Sequence, residues 1–179
     1  MILTASDSVH NYAQQIVALR LNYIGVKAEE IKPPPLTPDM LLSQIKGIER
    51  LYHKFTATNT AHKLPGRIRH CYKYAHRAAA YNPDLIYCEG LATNKNVMGI
   101  PLEHAWCVHK DTGEVWDPVW KNKHLGIGYS GIPLHPLFIN KCILASGTYG
   151  VLDSLWKHHN LLDNQLQDVI HPAYHSIIK

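Results

Sequence analysis

The sequence predicts one domain of the α+β class. Segments with the periodicity of amphipathic helices come first, short segments that suit β-strands follow, and the tail again has helical periodicity. The chain has 179 residues, of which 46% are hydrophobic, and this is enough to form the core of a single domain. We divide the domain into an N-terminal helical part (1–65), a central core (66–133) and a C-terminal helical part (134–179).

Charge and composition argue against several classes of function. The net charge is only +4 and no run of Lys and Arg exceeds two residues, so we expect no nucleic-acid partner. No apolar run approaches the roughly 20 residues of a membrane span, and the N-terminus lacks a signal-like stretch. The four cysteines form no C-x-x-C motif. We therefore expect a cytoplasmic protein with reduced thiols that contacts no membrane and needs neither a metal nor another cofactor.

The N-terminal part is expected to hold two helices. The first begins at Asp7 or Ser8, which suit a helix cap, and ends near Val26. Residues 32–35 include three prolines and predict a stiff extended connector. The second helix follows a cap and first-turn proline at 37–39, and its apolar stripe has helical spacing: Leu41, Ile45, Ile48, Tyr52 and Phe55.

A central helix is predicted after a polar loop over residues 56–65. It begins near Cys71 and runs through the alanines at 78–80, since alanine favours helix. The Asn-Pro pair at 82–83 ends it, because the residue before a proline is disfavoured in helical geometry.

The segments after this helix predict a small antiparallel sheet and then more helix. Residues 110–113 suit a hairpin turn, with a glycine available for a positive φ angle. Helical patterns return around 137–144 and 151–156. Three segments suit short strands: residues 85–88, 102–108 and 114–117.

Cys71 is the candidate nucleophile. A thiol at the start of a helix meets free backbone N–H groups and the positive end of the helix dipole, and both favour the thiolate. Basic or potentially basic neighbours act in the same direction: Arg67, Arg69, His70 and Lys73. The alternative is that Cys71 is a buried and unreactive thiol.

His104 and Asp117 are the candidate partners of that thiol. If the two residues lie opposite each other in the predicted hairpin, Val108 pairs with Gly113 and a loop over 109–112 remains. Their side chains would then be neighbours on one side of the sheet. An aspartate beside a histidine fixes the ring tautomer and stabilises the imidazolium. The alternative is a structural contact without catalytic meaning.

Two motifs carry a resemblance to a known family. His-Ala-Trp at 104–106 and Trp-Asp-Pro-Val-Trp at 116–120, after a helix with Cys71, resemble the transglutaminase-like branch of the papain-like cysteine hydrolases. The similarity extends over residues 67–133. It implies a nucleophile helix packed on a small antiparallel sheet, with helical parts on either side. It also implies Cys71 as nucleophile, His104 as general base and then acid, and Asp117 as the residue that orients the histidine.

The resemblance implies a cysteine hydrolase or acyltransferase. Its substrate would be a peptide, a protein or a small amide, attacked at an amide, isopeptide or thioester bond through an acyl-enzyme. The segments 87–90 and 129–133 also resemble those of small uncharacterised bacterial and phage proteins of this type. The chain departs from the family pattern at Val119, where threonine is usual, and it has no glutamine just before Cys71. The oxyanion hole would therefore combine the Cys71 N–H with a donor that the sequence does not identify.

Other interpretations remain open at this point. The chain is alternatively a catalytically silent binding or inhibitory module of the same fold, for example one encoded by a phage. A third interpretation is a binder of divalent metal ions, because the chain has 13 histidines, among them the pair at 158–159. Cys88 is a competing nucleophile, but the turn-rich composition between it and His104 leaves no room for a helix, so we expect Cys88 to fill space in a strand.

The remaining residues of interest have simpler interpretations. We expect the tryptophans near the motifs to pack in the core beside the site: Trp106, Trp116 and Trp120. Glu89 is either an acceptor close to the site or an acid in a turn.

Overall fold

The computed structural model describes six parts of the chain: residues 51–56, 66, 70–93, 101–120, 128–152 and 166–177. Several predictions fall on other residues. The first helix, the connector, most of the second helix and the histidine pair at 158–159 lie outside the described residues.

The described residues form an antiparallel sheet with helices, which confirms the α+β class. The strand order across the five-stranded sheet is β1-β5-β2-β3-β4. The strands are β1 (His53–Thr56), β2 (Leu85–Thr93), β3 (Leu102–His109), β4 (Val115–Trp116) and β5 (Gly128–Pro133). The helices are α1 (Cys71–Tyr81), α2 (Pro136–Ser146) and α3 (Leu166–Val169), followed by a 3₁₀ helix (Pro172–Ile177).

Helix α1 is the predicted central helix, with the predicted start and end. It stops at Asn82, whose extended backbone (φ −130°, ψ 106°) leads into Pro83. The helix packs on β2 and β3 through its buried residues Cys71 and Ala75. Because Ala75 is small, β3 comes close enough for the Cys107 thiol to donate a hydrogen bond to the Ala75 carbonyl oxygen at 3.2 Å.

The β3–β4 hairpin forms, but its register differs from the predicted one. Val108 pairs with Val115, and the His109 N–H bonds to the Glu114 carbonyl oxygen at 2.9 Å. The predicted pairing of Val108 with Gly113 is wrong, because Gly113 has a positive φ of 67° and belongs to the turn over 110–113.

The hairpin shift amounts to two residues, so His104 does not lie directly opposite Asp117. A shift of one residue would have moved every side chain of the strand to the other face, whereas a shift of two preserves the face. His104 and Asp117 are therefore diagonal neighbours on the same side, with Asp117 immediately after β4.

Three segments differ from the prediction. Phe55 lies in β1, which pairs with β5, so the predicted helical stripe does not extend this far. Pairing and burial of Phe55 prevail over the spacing of the apolar residues. Strand β5 was not predicted, and Val151 and Leu152 form a bend instead of starting a helix.

The sheet separates two hydrophobic clusters. Alternate residues of β2 point to opposite faces, so Tyr87 belongs to one cluster and Cys88 to the other. The first cluster contains the buried residues of α1 and α2. The second surrounds Trp106 and is lined by Phe55, Ile86, Cys88, Ala92, Val108, Val115 and Tyr129.

A pair of glycines brings β2 and β5 into close contact near the centre of the sheet. Gly90 pairs with Gly131, and a Cβ atom on either residue would clash with the backbone of the opposite strand. At Gly131 it would also meet the indole of Trp106. The absence of a side chain at Gly131 thus leaves room for the Trp106 ring over the sheet.

Glu89 lies in β2, so the alternative of an acid in a turn is wrong. Its carboxylate is fully buried and accepts hydrogen bonds from the Tyr87 hydroxyl at 2.5 Å and from the backbone N–H groups of Val151 and Leu152, both at 2.7 Å. Glu89 therefore fixes the bend after α2 to the centre of the sheet.

Candidate active site

Cys71 is the first residue of α1. The preceding residue, His70, has non-helical dihedral angles (φ −123°, ψ 29°) and provides no side-chain cap. The first hydrogen bond of the helix runs from the Tyr74 N–H to the His70 carbonyl oxygen at 3.0 Å. The Cys71 N–H therefore lies in the first turn of the helix, ahead of this bond.

His104 lies in β3 with only 3% of its surface exposed. Its Nε2 atom donates to Oδ2 of Asp117 at 2.7 Å, since an ionised carboxylate only accepts. The Cys71 side chain is close enough to His104 to contribute to the raised pKa of its imidazole. Because Nε2 is occupied by Asp117, Nδ1 is the ring atom that remains for the thiol. The structure thus brings the three predicted site residues together.

The Asp117 carboxylate is buried and held by four hydrogen bonds. The backbone N–H groups of Val119 and Trp120 donate to Oδ1 at 2.7 and 2.9 Å. The Tyr129 hydroxyl donates to Oδ2 at 2.8 Å, beside the bond from His104. The short turn after β4 therefore fixes one oxygen, and side chains from β3 and β5 hold the other.

The environment favours the charged forms of His104 and Asp117. Burial by itself lowers the pKa of His104, but the charge and hydrogen bond of Asp117, with a smaller contribution from Cys71, raise that pKa to about 10. Burial raises the pKa of Asp117, yet the charge and hydrogen bond of His104 and the two backbone donors bring it below its ordinary value. At neutral pH the site therefore holds an imidazolium beside a carboxylate.

Aromatic rings enclose the His104 imidazole. Trp120 stacks on it with ring centroids 4.3 Å apart and an angle of 14° between the planes. Trp106 lies at 6.3 Å on a nearly parallel plane, and Tyr129 at 6.4 Å. Trp106 belongs to the core as predicted, whereas half-buried Trp120 contacts the site itself.

Sequence reasoning missed two of these partners. Trp120 packs against the core beside the site as predicted, but its stacking on the His104 ring was not foreseen. Tyr129 lies in β5, a strand that was not predicted, so its position across the sheet from Asp117 could not be foreseen. A buried aspartate requires hydrogen-bond donors, but the sequence does not show which residues provide them.

Cys88 lies in a different environment. It is fully buried in β2, within the second hydrophobic cluster, as expected for a side chain that fills space. Burial, together with the charges of Cys107 and Glu89, raises the pKa of the Cys88 thiol well above its ordinary value. This disfavours the thiolate that a nucleophile requires.

Two features are absent from the described residues. Among them, no group of three or more His, Cys, Asp or Glu side chains is arranged to hold a metal ion. Within the same part of the chain, no helix combines the length and the apolar character needed to cross a membrane.

Comparison of the chain with protein family models, with curated proteins and with solved structures gave no match. The interpretation of the site therefore depends on its geometry and on the motifs in the sequence.

Proposed function

We propose that this protein is a cysteine hydrolase or acyltransferase of the papain-like, transglutaminase-like type. The observation that supports this proposal is the buried hydrogen bond between His104 and Asp117, together with the Cys71 side chain beside His104. The three side chains come from a helix start, a strand and the turn after a hairpin. A nucleophile beside a base that a third group orients is the arrangement that covalent catalysis requires.

In the first half of the reaction, the Cys71 thiolate attacks the carbonyl carbon of an amide, isopeptide or thioester. A C–S bond forms while the carbonyl π electrons move to the oxygen. The C–N or C–S bond to the leaving group then breaks, and His104 gives its Nδ1 proton to the departing amine or thiolate. This leaves an acyl group on the Cys71 sulfur and a neutral imidazole.

The second half of the reaction reverses these roles. A water molecule or an amine loses a proton to His104 and attacks the acyl carbon, and the Cys71 thiolate departs. Water gives hydrolysis and an amine gives acyl transfer. The Cys71 N–H, in the first turn of α1, stabilises the oxyanion in both halves of this reaction.

Asp117 acts through His104. Its hydrogen bond to Nε2 keeps the other ring nitrogen directed to the thiol, and its charge stabilises the imidazolium. Trp120 restricts rotation of the ring because it covers one face of the imidazole.

Trapping of the acyl-enzyme tests the proposal. The folded protein is incubated with an activated amide or thioester of a small acid, and the adduct is located by intact-mass and peptide mass spectrometry. We expect one acyl group on the peptide that contains Cys71. Cys71→Ser should abolish labelling, and the control Cys88→Ser should retain it if the protein still folds by circular dichroism.

Two outcomes would contradict the proposal. No adduct on the folded wild type would support the alternative of a silent binding or inhibitory module. Labelling that is lost in Cys88→Ser but kept in Cys71→Ser would mean that the nucleophile and its helix are wrongly assigned.

A further inference from the structure

Tyr129 and His104 donate hydrogen bonds to the same oxygen atom of Asp117. Its hydroxyl donates to Oδ2 of Asp117 at 2.8 Å, and the His104 Nε2 donates to the same atom at 2.7 Å. Tyr129 is 1% exposed and packs against the Trp106 ring, with centroids 5.0 Å apart. Packing of the Tyr129 ring in the core thus fixes the position of its hydroxyl at the site.

We propose that Tyr129 is a positioning residue of the triad: its hydroxyl competes with His104 for Oδ2 of Asp117 and so determines how firmly His104 retains its ring proton. The proposal deepens the proposed function, on which its catalytic meaning rests. The competition itself is a property of the three side chains and exists whether or not Cys71 reacts.

The Asp117 carboxylate does not need Tyr129 to stay in place. The backbone N–H groups of Val119 and Trp120 already fix Oδ1, and His104 remains bonded to Oδ2. The Tyr129 hydroxyl is therefore an additional donor to an oxygen that already has one. A second donor withdraws negative charge from the oxygen, which weakens its attraction for the imidazolium.

The direction of the Tyr129 hydrogen bond is fixed. Burial, with the nearby charge of Asp117, raises the pKa of Tyr129 well above its ordinary value, so the phenol stays protonated and donates. The groups that face His104 come from four places: Cys71 on α1, Asp117 and Trp120 after β4, Trp106 on β3 itself, and Tyr129 on β5. Of the side chains named, the two tryptophans do not titrate.

Weaker retention of the proton has a use in the proposed reaction. A general acid must release its proton to the leaving group, and an imidazolium held too tightly by a carboxylate does this poorly. Tyr129 would reduce the stabilisation that Asp117 gives to the imidazolium, so that the Nδ1 proton leaves more easily, without breaking the Nε2 hydrogen bond that orients the ring.

The experiment measures the titration of His104 in the full chain by NMR of the histidine Cε1–H resonances, assigned with His104→Gln. Tyr129→Phe removes the hydroxyl and keeps the ring. We expect the His104 midpoint to rise by roughly half a pH unit or more, because Oδ2 then interacts with His104 alone. The matched control is Tyr87→Phe, which removes a buried tyrosine–carboxylate bond to Glu89 and should leave the midpoint unchanged.

An unchanged His104 midpoint in Tyr129→Phe would mean that Tyr129 contributes only packing. A lower His104 midpoint would mean that the Tyr129 hydroxyl holds Asp117 in place. Either result overturns the proposal. If Tyr129→Phe does not fold, 3-fluorotyrosine at position 129 is used instead, because it keeps the hydrogen bond and strengthens the donor. The His104 midpoint should then fall. A rise or no change of this midpoint would also overturn the proposal. Acyl-enzyme trapping reports separately on the proposed function, because the titration does not require Cys71 to react.

Discussion

The indole of Trp120 lies flat against the imidazole of His104, with ring centroids 4.3 Å apart and planes inclined by 14°. The imidazole carries a positive charge at neutral pH because its pKa is raised to about 10. A cation on the face of an indole is stabilised by the ring quadrupole, by about 0.5–2 kcal/mol depending on burial. Trp120 therefore supports both the orientation and the charge of the candidate acid–base group.

Replacement of Trp120 by leucine should lower the His104 titration midpoint by about half a unit to one unit, since the cation–π contribution is lost. It should also slow acylation of Cys71, because the ring gains freedom to rotate. NMR titration and probe labelling measure the two effects. Trp120→Phe keeps a stacked ring and serves as the control. Equal midpoints in Trp120→Leu and wild type would contradict an electrostatic role of the indole.

Asp117→Asn should leave the fold intact but slow acylation of Cys71 on the order of 10³- to 10⁴-fold. The amide presents either a neutral oxygen or an N–H group to His104, so the imidazolium loses its counter-charge and the ring its preferred tautomer. The measurement is the rate of adduct formation by mass spectrometry. Asp84→Asn is the matched control, because Asp84 pairs with Lys110 at the surface of the hairpin turn. Full activity in Asp117→Asn would exclude Asp117 from the triad.

Alkylation of Cys71 by iodoacetamide at neutral pH should be faster than alkylation of half-buried Cys142, which provides an internal control in the same digest. The reason is the proposed role of Cys71 as a nucleophile beside the His104 imidazolium. In His104→Gln the difference between the two cysteines should disappear. Equal labelling rates of Cys71 and Cys142 in the wild type would identify Cys71 as an ordinary thiol.

The stability of the fold should decrease as the pH rises above neutrality. The pKa of His104 is near 6.5 in the unfolded chain and about 10 in the folded protein, so its stabilisation is complete below about pH 6.5 and is lost as the pH approaches 10. The loss is at most about 1.4 kcal/mol per pH unit. The lowered pKa of Asp117 acts in the opposite direction, and its stabilisation is lost as the pH falls below about 4.

Urea unfolding between about pH 6 and about pH 8 measures this slope before the buried cysteines contribute. The slope should be nearly absent in His104→Gln and unchanged in the control His76→Gln, whose ring bonds to Asn140 at 3.1 Å, away from the triad. Equal slopes in wild type and His104→Gln would show that His104 does not carry the shifted titration.

Local signals in the sequence were sufficient for α1 and for the hairpin. Alanines and an Asn-Pro stop define α1, and the glycine at 113 defines the turn, because each acts within a few residues. The same glycine explains the error in register. Whether it is the last residue of the turn or the first of the strand depends on its φ angle, and the sequence alone does not fix that angle.

Long-range pairing explains what could not be predicted. Phe55 has a spacing that suits a helix, but it lies in a strand because β5 is available to pair with it. Strand β5 itself is short and contains two glycines and a proline, so no propensity marks it as a strand. Tyr129 shares this strand, and its contact with Asp117 is therefore hidden from any local pattern.

The hydrogen bonds from Val151 and Leu152 to Glu89 also have a consequence for the order of events during synthesis. Glu89 lies in the middle strand of the sheet, but two of its donors are the backbone groups of Val151 and Leu152, more than 60 residues later in the chain. While residues 151 and 152 have not yet emerged from the ribosome, folding of the sheet would bury the Glu89 carboxylate without these two donors, which is strongly unfavourable. The centre of the sheet is therefore completed only after most of the chain has been synthesised. The three candidate triad residues are synthesised before Val151 and Leu152, so they are present before the sheet beside them is stable.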